Sequence, residues 1–428
     1  MANPQFPMKN KLCLSIRLFS LLMLMCIGGF CSAAPSSAPT KIPGTRDHHG
    51  SQFEIFISRL KSLPEPARDT AVARFIGEFP TTPLIEHDSV VSLYWYGNAT
   101  QVLINGDLQL GWAGSDKMQA VPCGTKSFFY QTYTIPVDSR LDYQFKVDET
   151  VTTDPRNPGI TPSGYGPHSE IAMPGFRPDP VRIFRPAVPH GTIDSMVVSS
   201  RDTTIRSRKV KVYVPPGYAS LSRLPVLFVM DGLEALDYNA YPIVMDNLMA
   251  DRKIQPALLV FIPPGDRFAE YLGTNDLQFI NAICDEFVPL IDRKYKTDPV
   301  PAKRGIAGIS AGGHLALLAL FIRPDVFQCS AGQSPAISDQ LYNALRSFPE
   351  KEKTRPSLRI YMDIGRYDLG SGNAKNLTFF QACSAFHLEM QKAGLNHLFQ
   401  AFNDGHEWAN WRERTDDILV CFFGTNKE

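Results

Sequence analysis

The sequence predicts an α/β protein whose C-terminal half, residues 190–428, forms a mostly parallel sheet covered by helices on both faces. Strongly apolar runs of strand length lie at 224–230, 257–262 and 358–362, and helical stretches such as 275–294 and 378–393 lie between them. Strands that alternate with helices along a chain form parallel sheets that are buried on both faces. A Gly-x-Ser-x-Gly segment at 308–312, between a strand-like run and a helical one, has the context that such a fold predicts.

An all-β region is predicted to precede this half, at residues 85–185. Its strand-like runs are 90–96, 101–104, 127–135 and 141–147, and Asn105-Gly106-Asp107 suggests a hairpin turn. Short strands at this spacing are typical of an antiparallel sandwich of immunoglobulin-like type. The aromatic residues here form either the core or a binding face for a sugar or aromatic ligand. Trp112, in a glycine-rich stretch, is the best candidate for such a face.

The first 84 residues are predicted to contain a leader and a connecting segment. Residues 1–34 have the features of a signal peptide, because basic residues precede the apolar run 18–30 and small residues follow it. We therefore expect a periplasmic or secreted protein that has no membrane attachment after cleavage. An uncleaved N-terminal anchor and lipid attachment at Cys26 or Cys31 are the alternatives. Residues 35–84 are predicted to be a Pro/Ser-rich linker followed by a helical lead-in.

Composition and charge restrict the class of partner. At 428 residues the chain is long enough for two domains, and its 43 basic and 43 acidic residues leave no net charge. Nothing in this balance attracts nucleic acid or an anionic membrane surface. Outside the leader, five widely spaced cysteines contain no Cys-x-x-Cys pair, so a cysteine zinc site is not predicted. These thiols are either buried or form a disulfide whose partners the spacing does not define.

The motif Gly308-Ile309-Ser310-Ala311-Gly312 contains the candidate nucleophile, Ser310. A serine on a sharp strand-to-helix turn exposes its hydroxyl only if the surrounding residues lack bulk, and the two glycines meet that need. The backbone N–H of Ala311, at a helix start, can then face a developing oxyanion. The alternative is a glycine-rich turn whose serine has no chemical role.

A serine hydroxyl needs a base in contact with it and an acid that orients the base. In sheet hydrolases these follow the serine in the order acid, then histidine. His406 lies in a turn directly after the strand-like run 398–402, where α/β proteins place reactive groups, and is the candidate base. Asp368, in the loop after the strand predicted to end at 362, is the candidate acid. Asp363 and, as a fallback, Glu407 are the alternatives.

A second oxyanion donor is expected from the loop after an early strand. Gly232 follows such a strand and permits an unusual turn, so the N–H of Leu233 can point inward. A plain strand-end turn is the alternative. Asp231 can hold this loop through hydrogen bonds, and we also predict that Asp231, Trp408 and Arg412 contribute to substrate binding. These residues imply neither a metal ion nor an organic cofactor.

Residues 190–428 resemble the esterase D-type branch of the α/β-hydrolases. The matching segments are 212–218, 229–232, 308–313, 365–368 and 405–412. The last of them, a Gly-His pair followed by Trp-Arg, is similar to enterochelin esterases, and segments 93–96 and 154–158 resemble the N-terminal domain of those enzymes. Feruloyl and acetyl-xylan esterases with a glycogen-binding-like module have a similar layout. The resemblance implies an α/β-hydrolase fold, a triad of Ser310, Asp368 and His406, and an oxyanion hole near Leu233 and Ala311.

The leading interpretation is a serine carboxylic-ester hydrolase that acts through an acyl-enzyme on a small-molecule or carbohydrate-linked ester. Enterochelin esterases of this kind usually act in the cytoplasm, and no dense basic cluster marks the predicted site, where Arg366 and Arg412 are the nearest candidates. Both departures favour an extracytoplasmic ester, such as one on a plant polysaccharide. Hydrolysis of a siderophore trilactone and cleavage of feruloyl or acetyl esters from carbohydrate are the two competing candidates. The alternatives are an acyltransferase that resembles mycolyltransferases through residues 230–233, and a non-catalytic carbohydrate-binding protein on a hydrolase scaffold. The oligomeric state stays open.

Overall fold

A computed structural model describes residues 50–370 and 377–425 of the chain. The predicted signal peptide, and the predicted linker up to residue 49, lie outside the described residues. Helices α1 (Gln52–Ser62) and α2 (Glu65–Glu78) form the predicted helical lead-in. Among the described residues, no helix has both the length and the apolar character that a membrane span requires.

Two antiparallel sheets pack together in the predicted all-β region. Its strands are β1 (Leu84–Glu86), β2 (Val90–Gly97), β3 (Val102–Gly106), β4 (Gly111–Lys117), β5 (Gln119–Cys123), β6 (Lys126–Thr134), β7 (Arg140–Val147), β8 (Thr150–Thr152), β9 (Ile160–Thr161) and β10 (His168–Ala172). One sheet has the order β1-β2-β6-β5, and the other is built around β7, which pairs with β3, β8 and β10. Leu93, Ile104 and Phe145 belong to the apolar cluster that the two sheets share. The immunoglobulin-like type of this sandwich stays a prediction.

The turn after β3 differs from the predicted tight hairpin. Strands β3 and β4 pair in antiparallel fashion, but a 3-10 turn at Asp107–Gln109 and a left-handed residue, Leu110, connect them. A tertiary contact accounts for the longer turn, because Asp142 of β7 donates its backbone N–H to the Asp107 carboxylate over 2.8 Å. Trp112 lies in strand β4, where its indole stacks on the imidazole of His168 with ring centroids 4.1 Å apart.

The C-terminal half contains the predicted, mostly parallel sheet. Its strands are β11 (Thr192–Val198), β12 (Arg208–Val214), β13 (Val226–Met230), β14 (Leu258–Ile262), β15 (Arg304–Ile309), β16 (Cys329–Gln333), β17 (Arg359–Tyr367) and β18 (Leu398–Gly405). They are ordered β11-β12-β14-β13-β15-β16-β17-β18, and every neighbouring pair from β14 onward is parallel. The carboxyl ends of β13, β15, β17 and β18 therefore share one edge of the sheet, where α/β proteins bind ligands.

Helices cover both faces of this sheet. They are α3 (Gly232–Tyr238), α4 (Tyr241–Ala250), α5 (Arg267–Tyr271), α6 (Asp276–Ala282), α7 (Val288–Lys294), α8 (Ser310–Ile322), α9 (Asp339–Ser347), α10 (Glu350–Lys353), α11 (Phe379–Lys392), α12 (Trp408–Arg412) and α13 (Thr415–Phe423). A π-helical turn, Ile283–Phe287, joins α6 to α7 within the predicted helical stretch 275–294. Side chains of β13 alternate between the faces: Phe228 packs in the cluster that contains α8, and Val229 in the cluster that contains α4 and α13. Burial on both faces explains the continuous apolar runs of the sequence.

The five cysteines outside the predicted leader are free thiols, and all of them except Cys421 are buried. Burial raises the pKa of the Cys284 and Cys421 thiols to about 12, so neither is a thiolate at neutral pH. Of the two alternatives for these residues, buried thiols and a disulfide, the structure has the thiols.

The sandwich and the parallel sheet meet at the edge strand β18. Asp404 of β18 is the pairing partner of Arg140 in β7, and Tyr367 at the end of β17 packs into the sandwich core. Gly405 lies so close to Asp107 that a Cβ at this position would overlap the carboxyl group. Both sheets belong to one compact unit of the described residues. The sandwich therefore lies directly beside the loop that follows β18.

A buried ion cluster beside this junction supports a stability prediction. Arg414 is buried and pairs with the carboxylates of Asp363, at 3.0 Å, and Asp404. Burial raises the pKa of Asp404 to about 7, although Arg414 opposes that shift. Replacing Arg414 with methionine is expected to lower the free energy of unfolding by about 3–5 kcal/mol, because two buried carboxyl groups lose their partner.

Urea unfolding measures this loss. The matched control is Arg74→Met, which breaks an exposed ion pair with Glu78 on α2. It is expected to change the free energy of unfolding by less than about 1 kcal/mol. If Arg414→Met cost no more than this control, the buried cluster would not contribute to stability as described.

Candidate active site

Ser310 lies on a sharp turn between a strand and a helix. Strand β15 ends at Ile309, α8 begins at Ser310, and the serine has a φ of 50°. This left-handed conformation is strained for a residue with a Cβ, and such strain is concentrated at functional turns. A Cβ on Gly308 would overlap the backbone of Gly312, so the turn closes only with glycine there. The structure therefore has the strand, turn and helix that the motif predicts.

His406 and Asp368 are hydrogen-bonded to each other at the sheet edge. Strand β17 ends at Tyr367 and β18 at Gly405, so each of the two residues follows the carboxyl end of its strand. Nδ1 of His406 lies 2.7 Å from Oδ1 of Asp368, whose side chain is buried, whereas the imidazole keeps 13% exposure. A proton shared with the carboxylate at Nδ1 leaves Nε2 as the acceptor nitrogen. That tautomer is the one a general base needs.

The structure brings the three predicted catalytic residues to one edge. In the order β15-β16-β17-β18, the residues that directly follow β15, β17 and β18 are Ser310, Asp368 and His406. The segment after β16 contacts Ser310 directly and His406 through Trp411. The backbone carbonyl oxygen of Ser310 accepts the backbone N–H of Ala336 at 3.0 Å. The hydroxyl oxygen of Ser334 accepts the indole N–H of Trp411 at 3.1 Å. The Trp411 ring in turn packs edge-on against His406 at 4.8 Å.

The two predicted oxyanion donors begin neighbouring helices. Leu233 is the second residue of α3, and Ala311 is the second residue of α8. These helices follow β13 and β15, which are adjacent and parallel, so their first turns lie at the same sheet edge. N–H groups in the first turn of a helix have no acceptor within the helix, and both groups can therefore donate to a developing negative charge.

Asp231 holds the loop that leads into α3. Its own φ is 52°, and its carboxylate accepts Nε and Nη2 of Arg267 at 2.7 and 2.8 Å. Its backbone N–H donates to the Tyr271 hydroxyl at 3.0 Å. These contacts and its burial favour the loop-holding role over direct contact with substrate. Arg267 keeps 22% side-chain exposure, so part of this side chain faces solvent beside the loop.

Trp408 and Arg412, predicted to bind substrate, lie on the short helix α12. Trp408 is buried and packs against Tyr238 and Trp411, with centroid distances of 5.6 and 5.5 Å. The Arg412 side chain is about one-third exposed and lies 3.7 Å from the Glu413 carboxylate. The burial of Trp408 is therefore explained by packing. Of these two residues, only Arg412 exposes enough of its side chain to contact a substrate.

The alternative acids and bases have other partners. Asp363 lies inside strand β17 and belongs to the buried ion cluster. The Glu407 carboxylate points toward the sandwich, where it accepts a hydrogen bond from Ser163, and not toward His406. His314 is buried in α8, where its Nδ1 lies 3.0 Å from a backbone carbonyl oxygen. His387 and His397 hydrogen-bond to each other at 2.7 Å. None of these described contacts places a second acid or base beside Ser310.

Sequence reasoning missed strand β16 and Arg267, the basic residue that pairs with Asp231. Strand β16, Cys-Ser-Ala-Gly-Gln, contains no β-branched or aromatic residue, so its composition gives no strand signal. It is buried because it pairs with β15 on one side and β17 on the other. Arg267 could have been found, since it follows the apolar run 257–262 in a loop expected at the same sheet edge.

Comparison with known proteins defines the class of enzyme. The sequence profile of the family described as "Putative esterase" matches residues 202–421. Because this match covers more than half of the chain, the chain belongs to that esterase family, a class of hydrolases that act on ester bonds. The esterase resemblance of the sequence motifs and the α/β class of the fold are thereby confirmed.

Individual relatives are more distant. The endo-1,4-beta-xylanase/feruloyl esterase of Xylanibacter ruminicola is 28% identical over 255 residues, which are 56% of this chain and 32% of that protein. This chain thus spans about a third of the length of that relative. Two solved structures are similar in fold. The enterobactin esterase FES of Shigella flexneri has a TM-score of 0.62 and 19% identity, and the match covers 79% of this chain and 94% of that chain. The ferric enterobactin esterase of Salmonella typhimurium has a TM-score of 0.63 and 17% identity, and the match covers 81% of this chain and 98% of that chain. At these identities the likeness shows the fold.

Proposed function

We propose that this chain is a serine carboxylic-ester hydrolase that works through an acyl-enzyme. The observation that carries the proposal is the 2.7 Å contact between Nδ1 of His406 and Oδ1 of Asp368, at the sheet edge where Ser310 occupies a strained turn. A buried carboxylate that orients an imidazole is the arrangement that activates a hydroxyl nucleophile.

In the proposed reaction, Oγ of Ser310 attacks the ester carbonyl carbon while Nε2 of His406 accepts the hydroxyl proton. Asp368 holds the imidazole and stabilises its protonated form. The N–H groups of Leu233 and Ala311 donate to the oxyanion of the tetrahedral intermediate. The imidazolium then gives its proton to the departing alcohol, and an acyl-serine remains. His406 next accepts a proton from water as the water oxygen attacks the acyl carbon. The imidazolium then returns that proton to Oγ of Ser310 as the acyl–oxygen bond breaks, which releases the acid and restores the free serine.

The substrate in this proposal is a small-molecule or carbohydrate-linked ester outside the cytoplasm. The predicted signal peptide supports that location, and the relative named a xylanase/feruloyl esterase supports an acyl group carried by a polysaccharide. A siderophore trilactone is the second candidate, because both structural neighbours named above are enterobactin esterases. Arg267 and Arg412 are partly exposed basic side chains that could contact an anionic ester. The proposal involves neither nucleic acid nor a cofactor.

A serine-directed fluorophosphonate probe tests the mechanism on the full chain. We expect one probe molecule per chain, attached at Ser310 and located by peptide mass spectrometry, together with turnover of p-nitrophenyl acetate and methyl ferulate. A folded protein that took up no probe and hydrolysed neither ester would contradict the proposal and favour a non-catalytic carbohydrate-binding protein. Acyl transfer to an added sugar that outpaced hydrolysis would instead indicate an acyltransferase.

The substrate class needs a second comparison. Feruloylated xylan fragments and ferric enterobactin are assayed side by side, and the ratio of their kcat/KM values decides between the two candidates. We expect the feruloylated fragments to be preferred. A higher kcat/KM for ferric enterobactin would overturn that preference while leaving the ester-hydrolase mechanism intact.

A further inference from the structure

A second cluster of polar side chains lies between the sandwich and the loop that follows β18. This loop contains His406 and is called the catalytic loop. Asp142 belongs to β7, His168 begins β10, and Glu407 directly follows His406. All three side chains are buried, with 1–3% of each exposed. The proposed hydrolysis uses none of them. Their burial at a junction of two sheets calls for a physical explanation, because buried ionisable groups normally have close partners.

The distances within this cluster are too long for hydrogen bonds. Nδ1 of His168 lies 4.0 Å from Oδ2 of Asp142 and 3.8 Å from Oε1 of Glu407. The three potential ligand atoms all lie within 4.8 Å of one another. In a tetrahedral zinc site, bonds of about 2.0–2.2 Å place the ligand atoms roughly 3.3–3.6 Å apart. The two distances from Nδ1 exceed this spacing by about 0.2–0.7 Å, and the distance between the two carboxylate oxygens is at most 4.8 Å. An inward movement of the two carboxylates would therefore give the three atoms the spacing of a metal site.

The imidazole nitrogen that faces the two carboxylates has no other partner. Nδ1 of His168 makes no hydrogen bond within the described part of the chain, although the residue is 2% exposed. The indole of Trp112 stacks on this ring and limits its reorientation. A buried polar nitrogen that lacks a hydrogen-bond partner carries a cost in stability. A cation between the nitrogen and the carboxylates would remove that cost.

Each carboxylate is held by one oxygen and turns its other oxygen toward the imidazole. Oδ1 of Asp142 accepts a hydrogen bond from Arg140 at 2.8 Å and another from Thr161 at 3.0 Å. Oε2 of Glu407 accepts the hydroxyl of Ser163 at 3.0 Å. Outer contacts of this kind are what orient the ligands of metal sites in proteins.

The local charge also favours a cation. The carboxyl groups of Asp107, Asp142 and Glu407 are buried close together, and the guanidinium that lies among them, from Arg140, is also paired with Glu170 at 2.8 Å. Buried carboxylates in excess of their cationic partners are costly unless protons or a metal ion neutralise them. A divalent ion would neutralise two of them at once.

We propose that Asp142, His168 and Glu407 bind one divalent transition-metal cation of the zinc or manganese class. One imidazole nitrogen and two carboxylate oxygens suit these metals, whereas calcium and magnesium prefer sites built of oxygen alone. The ion would join two strands of the sandwich to the residue after His406, and so brace the catalytic loop from its far side. This inference does not rest on the proposed ester hydrolysis.

Metal binding is tested on the full chain after treatment with EDTA and removal of the chelator. We expect equilibrium dialysis against ZnCl₂ or MnCl₂, followed by metal analysis, to give one more ion per chain in the wild type than in His168→Gln. Zinc at 100 times its dissociation constant should raise the free energy of unfolding by about 2.7 kcal/mol, and the thermal midpoint with it. The matched control His87→Asn, at an exposed histidine between β1 and β2, is expected to bind as the wild type does.

Two further measurements keep the test decisive. Cobalt bound to the EDTA-treated wild type should give visible d–d absorption that zinc displaces, which needs no variant to fold. Glu407→Gln retains the shape of the side chain and is expected to weaken zinc binding at least about tenfold. Equal metal content in the wild type, His168→Gln and Glu407→Gln, with no metal-dependent shift of the wild-type thermal midpoint, would overturn the proposal and assign the cluster to protonated carboxyl groups.

Discussion

Alanine at position 310 is expected to lower kcat for ester hydrolysis by about 10⁶-fold, or about 8 kcal/mol of transition-state stabilisation. In the proposed mechanism, loss of Oγ leaves the hydrogen-bonded pair of His406 and Asp368 with no hydroxyl to activate, so that no acyl-enzyme forms. The remaining rate would come from substrate binding and the oxyanion donors alone. Steady-state and burst-phase kinetics with p-nitrophenyl acetate measure this loss.

Glycine at the same position separates chemistry from folding. Because Ser310 has a φ of 50°, Ser310→Gly is expected to raise the free energy of unfolding by about 1 kcal/mol while abolishing turnover as alanine does. Ser330→Ala, at a buried serine of the neighbouring strand β16, is the matched control and should keep the wild-type kcat. Turnover that survived in both variants at 310 would show that another residue is the nucleophile.

Alanine at position 308 is expected to lower the free energy of unfolding by at least about 3 kcal/mol. The added Cβ would overlap the carbonyl group of Gly312 and crowd the backbone nitrogen of Gly313. These are backbone atoms of α8, which cannot rotate out of the way as a flexible side chain can. Strand β15 and helix α8 would have to separate, and Ser310 would move with them. Urea unfolding followed by circular dichroism measures the loss.

The control for this change is a glycine in open space. Gly77 lies in helix α2, and a Cβ there would meet no atom within 4 Å. Gly77→Ala is therefore expected to increase the free energy of unfolding by about 0.5–1 kcal/mol, because alanine loses less conformational freedom in a helix. A Gly308→Ala variant as stable as this control would show that strand and helix do not touch at the turn.

Local pattern was sufficient to predict the α/β class and the turn that carries Ser310. Apolar runs such as 257–262 are buried on both faces in any parallel sheet, so their composition alone identifies them. The glycines of the motif are visible in the sequence because only they fit a close approach of strand and helix. Strand β16 was missed because pairing with its neighbours, and not its composition, makes it a strand.

The choice between candidate acids depended on where a strand ends. Asp363 and Asp368 are five residues apart, and both follow apolar residues of one strand. Strand β17 continues to Tyr367, so Asp363 remains inside the sheet and pairs with Arg414, while Asp368 emerges beside His406. Arg414 lies far along the chain from Asp363, and no short-range pattern links the two. Long-range packing therefore determined which carboxylate faces the imidazole.

By itself the sequence determined the apolar runs that build the sheet, and it identified the candidates for chemistry: the serine on its glycine-flanked turn and the histidine after a strand. Only the tertiary structure decided their partners, such as Asp231 with Arg267 and Glu407 with Ser163. The physical reason is the distance along the chain over which each kind of interaction acts. Strand, turn and helix signals arise from neighbours in the chain, whereas a buried charge takes its partner from whichever distant segment folding brings within reach.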